Sequence, residues 1–206
     1  MVLTDVWKKF SQRAPVAIMQ EAPPIPGELR RGHKAALAFL PILKKKLLAP
    51  DGTLHAGTML CAAAWLTGTS LYRSLNFNED LPPGTIIKSD DLNREWERLV
   101  YLLEQYNFQK ADIPVGRLVL SAMGAPDFFK PKLEMLHIQQ ELQEQYNTVM
   151  KKHGFDYLDG ARVGVILCSI LLQQYSAAKI IELDAAAGVA AQGIFEAARC
   201  VPPPLE

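Results

Sequence analysis

GTLHAGTMLCAAAWLTGTSLY, residues Gly52 to Tyr72, runs for 21 positions without a formally charged side chain. A helix of about 20 residues is about 30 Å long, the diameter of a small domain, and one with so little charge has no face suited to water. It therefore belongs either in a bilayer or at the centre of a core. A membrane span needs about 20 predominantly apolar residues, and this run is diluted by three glycines, four threonines, a serine and a histidine. The reading is a central helix of a soluble bundle, not membrane-spanning.

Two further charge-free runs sit toward the other end: Val163 to Ala178 (VGVILCSILLQQYSAA) and Ala185 to Phe195 (AAAGVAAQGIF). The first has only 16 residues and contains Gln173 and Gln174, which again favours a core helix over a span. A glycine inside a helix costs about 1 kcal/mol relative to alanine, so Gly164, Gly188 and Gly193, with Ala185, Ala186, Ala187, Ala190 and Ala191, imply close backbone approach. Burial within the monomer is the first expectation and a homodimer seam the second. LHAGTMLC (Leu54–Cys61) and ARVGVILC (Ala161–Cys168) share Gly-x-x-Leu-Cys. Apolar, low-diversity sequence produces such matches by chance; a true repeat would mean two halves about a pseudo-two-fold axis.

The remaining segments read as helices separated by breakers. Thr4 to Arg13 carries Val6, Trp7 and Phe10 on a short amphipathic arm, and Ala22 to Gly27 (APPIPG) is an extended linker. From Glu28 the composition is helical to Lys46, with Pro41 expected to kink or divide the helix. Asp51-Gly52 signals a turn and Thr53 a cap for the charge-free helix. Ser89-Asp90-Asp91 starts a helix whose stripe is Leu92, Trp96, Leu99, Leu103 and Tyr106. A short helix is expected from Pro114 to Met123, a long amphipathic one from Lys130 to Lys152, and the last from Glu182 to Arg199. No segment keeps a strand period. The fold class is all-α: one helical bundle of roughly six to eight helices over residues 28–204, preceded by an arm and linker over 1–27, with Leu205-Glu206 set aside as a cloning remnant.

Lysine plus arginine and aspartate plus glutamate number 22 each, which removes a global electrostatic argument for nucleic acid. Residues 1–50 nevertheless hold nine basic side chains against Asp5, Glu21 and Glu28, a net +6. The arm is thus a candidate for binding a protein partner. The RRGHK cluster just beyond the arm, Arg30 to Lys34, lacks interleaved aromatics and reads as a solvated helix start, with no nucleic-acid role expected. Three cysteines, Cys61, Cys168 and Cys200, with no apolar leader at the N-terminus, point to a reducing, cytoplasmic setting.

No nucleotide loop, CxxC, HExxH or GxSxG occurs, and no cofactor is expected. Glu134 and His137 form one Glu-x-x-His step of the kind that carboxylate bundles use for metal, with Glu141 a turn further on. Such a centre needs two steps, and helical phasing puts these three opposite the Met135/Ile138/Leu142 stripe, on the water side. Asp51 and His55 near Cys61 lack any nucleophile signature, so His55 reads as an exposed or capping residue. Trp65, Tyr72 and Arg73, at the end of the apolar helix, are the candidate ligand-pocket residues. The preferred reading is a non-enzymatic helical protein acting through homodimerisation or partner binding. The alternatives are a small-molecule binder or enzyme with an apolar interhelical pocket, and a metal-dependent carboxylate bundle.

Overall fold

A computed structural model describes residues 26–77, 81–108, 118 and 120–205. The arm expected over Thr4 to Arg13 and half of the helix expected over Pro114 to Met123 lie outside the described residues, and Pro26 and Gly27, expected to end the linker, instead open the first helix. Among those described there are six α-helices: α1 (Pro26–Lys46), α2 (Ala56–Ser74), α3 (Asp90–Asn107), α4 (Met135–Lys152), α5 (Tyr157–Ala177) and α6 (Leu183–Ala198). Two 3-10 turns, Ala122–Gly124 and Asp127–Phe129, lie between α3 and α4. The chain is all-α. The β pairing among the described residues is limited to the isolated bridges Leu48–Leu54 and Ile86–Cys200.

Helix α2 is the axis of the bundle, with every residue from Gly57 to Tyr72 buried. It packs most extensively against α5 and α6 and also meets α3 and α4. Its hydroxyls are satisfied locally: Thr67, Thr69 and Ser70 each donate to the carbonyl four residues back, at 2.7, 2.8 and 2.9 Å. Such back-bonding lets polar side chains enter a dry core without seeking a partner across it. Among the described residues no helix is long and apolar enough to cross a membrane.

The helices approach as closely as the missing side chains allow. A Cβ built on Gly68 would lie 2.3 Å from the Ile194 carbonyl oxygen, and one on Gly164 would lie 2.1 Å from Thr67 Oγ1. Ala186, Ala187, Ala190 and Ala191 are likewise fully buried within the chain. The two glycines of the Gly-x-x-Leu-Cys echo meet unlike neighbours, Gly57 the backbone of Phe129 and Gly164 the side chain of Thr67.

Three local expectations need correction. Pro41 does not divide α1, which runs unbroken from Pro26 to Lys46. Pro41 and Leu37, whose carbonyl loses its backbone donor, are both exposed residues, a position at which that carbonyl is open to solvation. Thr53 is not the cap of α2: it satisfies Asp51 Oδ1 through its N–H and hydroxyl, and His55 caps instead. Helix α4 starts at Met135 rather than Lys130, because a 3-10 turn and Pro131 occupy the preceding stretch. Ser89 and Asp156 cap α3 and α5 as their sequence contexts imply.

Candidate functional site

A cavity of about 290 Å³ lies between α2, α6 and the strap of 3-10 turns at residues 122–131. Cys61 and Trp65 enter it from α2, Gln192 and Glu196 from α6, and Phe129 and Lys130 from the strap. The remaining wall is alanine, valine, proline and glycine, including Gly193, whose absent side chain leaves Ala64 in direct contact. The strap is fastened at its far end by His55. Nδ1 accepts from the Thr58 N–H at 3.1 Å, while Nε2, 2.7 Å from the Phe128 carbonyl, must carry the proton and donate to it. Thr58 Oγ1 in turn accepts from the Lys132 N–H at 2.9 Å. One histidine thereby caps the central helix and ties the strap to it.

The chemistry of the cavity centres on Glu196. Burial pushes its carboxyl above the ordinary carboxylate range, and the Gln192 and Trp65 side chains pull it part of the way back. Gln192 Nε2 donates to Glu196 Oε1 at 2.8 Å. Trp65, 5% exposed, turns its indole N–H toward the same carboxyl, but that N–H closes no hydrogen bond of ordinary geometry. A buried N–H without a partner costs about 1–3 kcal/mol, so among the described residues the cavity contains a donor in need of an acceptor beside a buried acid. Cys61 is inert here: burial first, then the Glu196 and Cys168 charges, push its thiol up to about 12, far from thiolate chemistry at neutral pH. Lys130 is exposed at the mouth, held by Asp127 at 2.8 Å.

Of the three pocket residues expected from sequence, only Trp65 lines this cavity. Tyr72 packs its ring against Phe77 with centroids 5.2 Å apart, and Arg73 donates from Nη2 to the Pro203 carbonyl at 2.6 Å. That contact pins the proline-rich end of the chain to α2. Glu134, His137 and Glu141 are exposed, Glu141 lying 3.6 Å from Lys46 Nζ. Among the described residues no three metal-capable side chains cluster. The basic cluster lines a separate, more open cleft of about 650 Å³, where Arg30, His33 and Lys34 face Tyr106, Ile166 and Ile170.

Other polar groups went unread in the sequence. Gln139, Gln143 and Asn147 form a buried row on α4, with Gln139 Nε2 donating to Thr69 Oγ1 at 2.8 Å and Gln143 Nε2 to Asn147 Oδ1 at 3.0 Å. Glu104 is 3% exposed, one oxygen has no partner, and burial pushes its carboxyl up to about 7. The available signal for Glu196 was its spacing: Gln192 and Glu196 are an i, i+4 pair and the only polar side chains between Ala185 and Ala198.

No protein family, curated protein or solved structure matches this chain.

Proposed function

We propose that this chain is a small-molecule-binding helical protein whose ligand occupies the cavity beneath the 122–131 strap. The observation that carries the reading is the indole N–H of Trp65, without a partner of ordinary geometry among the described residues, beside the Glu196 carboxyl in a partly open cavity whose other walls are mostly apolar. A concave apolar site with a few convergent polar groups is the usual form of a ligand pocket, and bundles place it between helices. The volume sets the ligand's size. A cavity of about 150 Å³ accepts benzene, so about 290 Å³ suits one ring with a short side arm. The high pKa of Cys61 and the absence of a general base paired to a nucleophile in the cavity favour binding over covalent catalysis. Ligand-observed NMR with a panel of one-ring compounds tests the reading. Saturable binding that disappears in Val189→Phe, which fills the cavity, is expected; binding that persists in Val189→Phe, or none in the wild type, refutes it.

A second reading, homodimerisation, is favoured by exposed apolar side chains on and just before the same strap, where Leu120, Met123 and Phe128 are 55%, 81% and 63% exposed. Large apolar side chains left exposed mark contact surfaces where they form a contiguous patch. This seam would lie on the strap and not on the small residues of α6, which pack inside the chain. The free, buried state of Cys61, Cys168 and Cys200 fits a reducing compartment and thus the cytoplasm. Light scattering after size-exclusion chromatography decides the dimer, a strict monomer at high concentration ruling it out.

A further inference from the structure

We propose that the cavity selects a small primary amine carried on an aryl–alkyl body, with the ligand's ammonium group meeting the free oxygen of Glu196 and its ring lying against Trp65. The inference rests on the ligand-binding reading above and adds the charge of the ligand.

One carboxyl oxygen of Glu196 accepts from Gln192 at 2.8 Å, and among the described residues no hydrogen bond of ordinary geometry closes on the other. Trp65 Nε1 approaches the same group and is itself without a partner. Both neighbouring side-chain groups are donors, so the pair is set to favour the ionised carboxylate; neither supplies the positive charge that would offset its removal from water. An empty site therefore leaves the carboxylate under-stabilised. A ligand ammonium supplies the missing charge and the missing donor together, and a charge-assisted bond of this kind is about twice as strong as a neutral one. Ionisation also draws in the indole N–H, so ligand binding satisfies both polar groups at once.

The other charged and titratable groups at the cavity do not compete. Lys130, the cation at the mouth, is exposed and paired to Asp127, and Cys61 is a neutral thiol. The walls contributed by Ala122, Ala125, Val189 and Gly193 offer no second anion and no cation for a ligand carboxylate. The π face of an indole also attracts cations. An anionic ligand would meet Glu196 directly, and a neutral alcohol of the same shape would gain one ordinary hydrogen bond without the charge.

Calorimetric titration at pH 8 with 2-phenylethylamine, 2-phenylethanol and 3-phenylpropionate separates the two claims. The amine is expected to bind at least tenfold more tightly than the alcohol, with the carboxylate weaker still. In Glu196→Gln, an isosteric change whose folding is checked by its thermal midpoint, the amine's advantage should fall to within about twofold while the alcohol is unaffected. Equal binding of amine and alcohol to the wild type, or an amine preference that survives Glu196→Gln, overturns the charge assignment and leaves the ligand-binding reading standing. Failure of all three probes, together with a wild-type fragment panel that gives no site sensitive to Val189→Phe, removes both.

Discussion

Substituting Gly68 by alanine puts the packing of the central helix to a quantitative test. The new Cβ would lie 2.3 Å from the Ile194 carbonyl oxygen, 2.7 Å from the Ala198 nitrogen and 2.8 Å from the Ala197 Cβ. Ordinary contact begins at 3.4 Å, so α2 and α6 must part by about 1 Å. None of the three atoms can rotate away, since two are backbone and the third is a Cβ. Overpacking costs about 1–3 kcal/mol, and rigid neighbours place this case at the upper end. Alanine returns about 1 kcal/mol of helix propensity, leaving a net loss of about 2 kcal/mol. For a chain of 206 residues this lowers the thermal midpoint by about 4–8 °C. Gly27→Ala is the control: it also lies in a helix, nothing stands within 4 Å of its Cβ, and its expected change runs from zero to a gain of about 1 kcal/mol. Thermal and urea unfolding followed by circular dichroism provide the comparison. A Gly68→Ala protein that melts at or above the wild type would refute the α2–α6 contact. Because Gly68 faces the turn of α6 that carries Glu196, the same variant should also weaken amine binding.

Glu104 predicts a pH dependence with a definite sign. Its folded-state carboxyl lies near 7 against an ordinary 4.5, so the native state holds a proton that the unfolded chain has already released. Stability is therefore full below 4.5 and falls as pH rises to 7, by an amount of order 2 kcal/mol. Urea unfolding at pH 5 and pH 8 should show that loss in the wild type and a correspondingly smaller one in Glu104→Gln; identical slopes would discard the assignment. His55→Ala removes both the cap of α2 and the tie to the Phe128 carbonyl, and should lower stability by about 1–2 kcal/mol. His55→Asn keeps a capping acceptor without the reach to Phe128, so it should recover only part of the loss; full recovery would mean that the tie contributes nothing.

The helical architecture was legible because it depends on properties carried by each segment. Absence of charge over Gly52–Tyr72 implied burial on all sides, and the stripe through Leu92, Trp96, Leu99, Leu103 and Tyr106 implied one buried face; Gly57–Tyr72 and the first four stripe residues are buried, whereas Gly52–Leu54 are exposed and Tyr106 is half-buried. Ser89 could be read as a helix start because the bond it makes is only three residues away. His55, read as an exposed or capping residue, caps α2 through the Thr58 N–H three residues on, whereas its tie to Phe128, 73 positions distant, could not be read locally. Pro41 misled because its cost depends on whether the freed carbonyl reaches water, and only the position of α1 at the outside of the bundle decides that.

The cavity was legible only at Trp65. Sequence placed Trp65, Tyr72 and Arg73 on one helix end, but it could not say that Arg73 would meet Pro203, 130 positions later, or that α6 would present Glu196 to the indole. The buried row Gln139, Gln143 and Asn147 was equally hidden, since a polar side chain at helical spacing looks solvated until another helix covers it. By itself the sequence determined the helices, their limits to within a few residues, and the identity of the central one, because hydrophobic periodicity and breakers are local. Only the tertiary structure decided which polar groups are dry, which carboxyl is displaced from its ordinary pKa and where a cavity remains. Desolvation is a property of what segments distant in the chain bring together, not of the segment that carries the side chain.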